Sequence, residues 1–146
     1  MFWLLTCLLV FSSDDPVKSD MDALQGTWFA VRLQNEEIQA PLDAIKQFKL
    51  TIKGQQMTFA TEGIKETRII GFKIDPSHKP ATIDLVTLTG PENGQTLPGI
   101  YKLEGDILTI CLPTKRNEKK EYERPTSFDP KKSSNLGLFV VKKKVN

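Results

Sequence analysis

The sequence predicts an all-β fold, an antiparallel up-and-down barrel of about eight strands with one short helix. Three observations carry that expectation. The stretch 96–112 reads as a hairpin: Ile100, Lys102 and Glu104 alternate with Tyr101 and Leu103, Gly105-Asp106 interrupts, and 107–112 resumes in β-branched and aliphatic residues. Glycine at that corner reaches a positive φ at no steric cost. Equivalent short runs recur on both sides, separated by Gly-, Pro-, Asn- and Asp-bearing turns, and helical periodicity is nearly absent. Such spacing suits a sandwich or a barrel, and consecutive hairpins favour the barrel, whose closure removes exposed edges.

Taken in order, residues 1–13 form an almost unbroken apolar run ending at Asp14-Asp15-Pro16. It falls short of the roughly 20 apolar residues that span a bilayer and fits the hydrophobic region of a secretory signal, with cleavage near Ser13. Residues 14–23 are polar and acidic and read as a linker, with one helical turn over 21–25. The barrel domain is expected over 24–146. Its first strand, 27–33, follows Gly26 and would place Phe29, Val31 and Leu33 on one face. Pro41 at a helix start, with Leu42 and Ile45 one turn apart, predicts a short helix over 40–46, small enough to act as a lid.

Phe48, Leu50 and Ile52 alternate with Lys49, Thr51 and Lys53, the pattern of a half-buried strand. Gly54-Gln55 turns it into 56–61, where Met57 and Phe59 share a face. Strand 67–75 groups Ile70, Phe72 and Ile74. Strand 81–89 leads through the Gly90 to Gly94 turn into the hairpin. A long polar loop, 113–135, precedes the last strand, 136–143.

Composition suits one globular domain: 39% of residues are apolar and 26% charged, so neither disorder nor a membrane core is indicated. The net charge of +2 hides an asymmetry. Residues 1–112 hold ten Lys/Arg and fourteen Asp/Glu, for −4; residues 113–146 hold ten and four, for +6. A basic C-terminal portion would attract an anionic polymer or an envelope protein, or simply form a solvated loop and edge strand. Specific nucleic-acid binding is not expected, since aromatic residues for base stacking are not interleaved there beyond Tyr122 and Phe128. If 1–13 is removed, Cys111 is left without a disulfide partner and reads as a buried small hydrophobe.

The chain carries one histidine, His78, between Pro76 and Pro80. Ser-His or Cys-His catalysis therefore lacks its base, zinc lacks clustered Cys and His ligands, and Gly90 and Gly94 open no helix to cradle phosphate. No enzyme activity, metal or cofactor is expected. Asp84, between Ile83 and Leu85, is either a carboxylate of raised pKa or a solvent-facing residue of its strand.

Leu24-Gln25-Gly26-Thr27-Trp28 resembles the G-x-W opening of lipocalin-like barrels. Further elements follow in order: Ile83-Asp84-Leu85, Gly90-Pro91, Gly94-Gln95-Thr96-Leu97, Gly99-Ile100-Tyr101, Gly105-Asp106 with Leu108 and Cys111, and Arg124-Pro125-Thr126-Ser127-Phe128. Together, over about residues 24–143, they resemble the planctomycete lipocalin-like domain family of unknown function. The resemblance implies an exported or envelope-associated barrel, secreted or periplasmic, without assigned activity. It also implies a basic residue stacked on Trp28 at the barrel end, for which Arg124 is the candidate.

Two functions then compete. The first is a non-catalytic, monomeric domain holding a small apolar or amphipathic ligand in the barrel, against Trp28, Phe48, Leu50, Phe59, Ile70, Phe72, Leu85 and Tyr101. The second is a structural or protein-interaction module with a filled core, docking through the basic 113–135 loop. An enzyme with a glycosidase-like carboxylate pair ranks third.

Overall fold

The computed structural model describes residues 15–35, 39–45, 47–61, 63, 65, 67–90, 93–130 and 135–145. Eight strands close into one antiparallel barrel: β1 Gly26–Asn35, β2 Phe48–Lys53, β3 Gln56–Thr61, β4 Arg68–Asp75, β5 Thr82–Thr87, β6 Thr96–Glu104, β7 Ile107–Pro113 and β8 Leu136–Lys143. Each strand pairs with its neighbour in sequence, and β8 returns to β1. The expected all-β, up-and-down architecture is the observed one. The hairpin of β6 and β7 turns at Gly105, whose φ of 61° is the left-handed geometry the corner demands. The short helix between β1 and β2 is α2, Leu42–Ile45, which sinks Ile45 into the core. The signal-like segment 1–13 lies outside the described residues.

The acidic stretch read as a linker is instead a helix, α1, Pro16–Leu24. Local chemistry explains it. The Asp15 carboxylate accepts a hydrogen bond from the Val17 amide at 3.0 Å, and Pro16 supplies a helical φ in the first turn, where its missing N–H costs nothing. Tertiary contacts then hold the helix across the end of the barrel where β1 begins. The Tyr101 hydroxyl donates to Asp20 Oδ2 at 2.6 Å, and Lys143 Nζ donates to the Ala23 carbonyl at 2.8 Å. Gln25 exchanges two hydrogen bonds with Gly54 in the β2–β3 turn. Leu24 is fully buried.

The expected grouping of Phe29, Val31 and Leu33 on one face of β1 does not hold. Trp28 and Ala30 point into the core, whereas Phe29 and Val31 are 37% and 40% exposed. The cause is a bulge: Ala30 pairs with Val141, but Arg32 pairs with Val140, so Val31 is an extra residue. One inserted residue exchanges the two faces, so Leu33, opposite Phe139, packs inward again.

A second, smaller core lies outside the barrel wall. Ile100, Cys111, Leu136 and Leu138 point outward from β6, β7 and β8 and are buried, with Phe128 of the long loop packed on them. Within this loop, 114–121 is exposed, while Pro125 and Pro130 are buried. Arg124 anchors it, donating to the Gly99 carbonyl at 2.8 Å and to Asp84 Oδ1 at 2.6 Å. Gly99 itself admits no side chain: a Cβ there would sit 2.6 Å from Leu112 Cδ2 and 2.9 Å from the Cys111 carbonyl oxygen.

Candidate functional site

The barrel interior is packed at one end and hollow at the other. At the α1 end, Trp28, Ile52, Met57, Phe72, Ile83, Tyr101 and Leu108 fill the bore. Toward the opposite end, inward-facing side chains enclose a cavity of about 470 Å³. That size lies within the range of about 300–1,000 Å³ typical of small-molecule sites. An eight-stranded barrel is the size at which side chains either fill the interior or leave space for one ligand, and here the choice varies along the axis.

Strand parity determines the lining. Phe48 and Leu50 come from β2, Phe59 and Thr61 from β3, and Arg68 and Ile70 from β4. Leu85 and Leu97 come from β5 and β6, Ile110 and Leu112 from β7, and Phe139 and Val141 from β8. The Phe48 and Phe59 rings meet at 5.5 Å between centroids, tilted by 45°. Such an offset arrangement is favourable beyond the area it buries.

Of the eight residues expected against a ligand, Phe48, Leu50, Phe59, Ile70 and Leu85 line this cavity. Trp28, Phe72 and Tyr101 sit deeper, in the packed end. The other seven lining residues escaped the sequence reading, although parity pointed to several: Thr61 is two positions from Phe59, and Arg68 two positions from Ile70. Both are polar, so apolar alternation does not name them.

The pairing of Trp28 with Arg124 does not occur. The indole N–H donates to the Leu24 carbonyl at 2.9 Å, and the cation over the ring is Lys143, with Nζ 5.4 Å from the centroid. Arg124 is held outside the wall on Gly99 and Asp84, while Trp28 is inside, so no stacking geometry exists. Asp84 thus faces outward as an ion-pair partner of Arg124 at 2.6 Å.

Other titratable groups lie away from this cavity. Burial first, and then the hydrogen bond to Asp20, raises the Tyr101 phenol above its ordinary range. Burial pushes the Cys111 thiol up to about 11, which keeps it protonated, and its Sγ lies 3.6 Å from the Ser127 carbonyl. His78 is exposed in the β4–β5 loop, with Nε2 3.2 Å from Asp75 Oδ2. The Ser77 hydroxyl donates to the same carboxylate rather than to the imidazole, so the serine is not activated by this histidine. No group of three or more His, Cys, Asp or Glu side chains is placed to hold a metal among the described residues.

No family model, curated protein sequence or solved structure matches the chain.

Proposed function

We propose that the protein is a non-catalytic binding domain that holds one small apolar or amphipathic molecule in the hollow half of its barrel. The observation that carries this reading is the cavity of about 470 Å³, walled almost entirely by apolar side chains from seven strands and closed behind by the Trp28 layer and α1. A void of that size lined by Phe, Leu, Ile and Val gives up dispersion contacts that a bound molecule would restore. The packed layer beneath it gives the site a rigid floor, which limits the ordering cost of binding. Membership of the planctomycete lipocalin-like family, and export guided by residues 1–13, belong to the same reading; the motif order from Gly26 to Phe128 supports them.

Native mass spectrometry of the protein purified from its own host, followed by denaturing extraction, tests the proposal. A molecule retained in the native ion and released on unfolding is the expected result. An empty protein that also fails to bind any of a panel of fluorescent apolar probes would refute it.

A further inference from the structure

We propose that the ligand is an amphipath with an anionic head, seated at the barrel mouth on Arg68 with Thr61 beside it; this rests on the binding role proposed above. Ten of the twelve residues around the cavity are apolar, and the two exceptions lie together. Register shows how. Arg68 pairs across β3 and β4 with Phe59, and Thr61 pairs across β2 and β3 with Phe48, so both polar residues flank the Phe48–Phe59 ring pair. Arg68 shares strand parity with Ile70 and Phe72, which places it on the inward face, at the first position of β4.

The Arg68 side chain is exposed at the rim and makes no ion pair or hydrogen bond among the described residues, as holds also for surface lysines such as Lys49 and Lys73; what sets it apart is its place on the lining of the apolar cavity. An arginine turned toward an apolar cavity with its donors uncommitted presents a planar fork suited to two oxygens of a carboxylate or phosphate. The Thr61 hydroxyl adds one donor on the adjacent strand. The arrangement sorts an amphipath end for end: aliphatic chain inward along Leu85, Ile110 and Val141, charge outward at the rim. A neutral ligand would leave the exposed guanidinium to water and gain nothing from it, and a cationic one would be repelled.

The test uses the purified full chain, its R68Q and R68K variants, and four probes of one chain length: dodecanoate, dodecyl phosphate, dodecanol and dodecylammonium. Titration calorimetry reads each affinity. For the unsubstituted chain, the anions should bind roughly 10- to 100-fold more tightly than dodecanol, the factor that a charge-assisted hydrogen bond supplies. R68Q should bring the affinity for both anions down to that for dodecanol measured on the same variant, and R68K should restore part of the preference. Whichever anion binds more tightly identifies the head as carboxylate or phosphate. Equal affinity for dodecanol and the anions, tighter binding of dodecylammonium, or a preference that survives R68Q would overturn the proposal with the binding role intact. Failure of all four probes to bind the unsubstituted chain would overturn both.

Discussion

Replacing Trp28 by alanine tests the packed end of the barrel, on which the hollow end depends. The indole is fully buried, donates its N–H to Leu24 at the end of α1, and lies under Lys143 from β8. Truncating a buried tryptophan costs about 3–5 kcal/mol, from lost transfer energy and the cavity left behind. Trp28→Phe separates the contributions. It keeps most of the packing and loses the hydrogen bond, leaving the Leu24 carbonyl unsatisfied, which puts its cost at about 1.5–3 kcal/mol. Lys143→Gln removes the cation over the ring and should cost no more than about 1 kcal/mol, since such contacts near solvent are weak. Against a total stability of about 5–15 kcal/mol, the alanine variant removes a large share. At about 4 °C per kcal/mol for a domain this size, its melting temperature should fall by about 12–20 °C. Urea unfolding followed by circular dichroism measures all three without relying on the deleted fluorophore. A loss below about 1 kcal/mol for Trp28→Ala, or a phenylalanine variant less stable than the alanine one, would refute the placement of this ring beneath the cavity.

Three further outcomes are expected. Gly99→Ala should destabilise by about 1–3 kcal/mol because the new methyl meets the Cys111 carbonyl, a backbone atom that cannot swing aside; an unchanged urea midpoint would show that β6 and β7 do not approach so closely. Arg124→Ala should cost about 1–2 kcal/mol and Asp84→Asn under about 1, because the pair is partly exposed and only the first change abandons the Gly99 carbonyl. Equal losses in thermal melts would contradict that division. Alkaline pH should destabilise the fold: burial holds the Cys111 thiol at about 11 against an ordinary 9.0, so the folded state keeps its proton longer than the unfolded chain. Stability from this group is complete below about pH 9 and is lost as pH rises toward 11, and the raised Tyr101 phenol adds a loss beginning above about pH 10. Urea midpoints should therefore decline over this range, with Cys111→Val flattening the first part; a flat profile in the unsubstituted chain would show that neither group is held away from water.

Local alternation made the strands legible. Phe48, Leu50 and Ile52, or Ile70 and Phe72, declare their shared face two residues at a time, and glycines such as Gly54 and Gly105 mark the corners because few other residues take their φ. The same logic failed in β1. No local signal distinguishes Val31 as a bulged residue, since the bulge is made by how β8 pairs across it, and one extra residue put Leu33 on the opposite face from Phe29 and Val31. Helix α1 carried a readable cap in Asp15-Pro16, but acidic composition suggested a linker. What holds the helix is Asp20 meeting Tyr101, 81 residues away.

The candidate site divides in the same manner. Phe48, Leu50, Phe59, Ile70 and Leu85 were legible as lining because apolar alternation names them. The lipocalin-like resemblance implied Arg124 over Trp28, but the fold puts a barrel wall between them and leaves Lys143 to cover the indole. By itself the sequence determined about eight alternating segments, most of them joined by short turns, a pattern that favours pairing between neighbours and closure into a barrel. Only the tertiary structure decided that the bore is filled near Trp28 and hollow near Phe48, because free volume is set by the sum of side chains meeting from all sides of the barrel. That sum depends on strand stagger and register, which no single segment encodes.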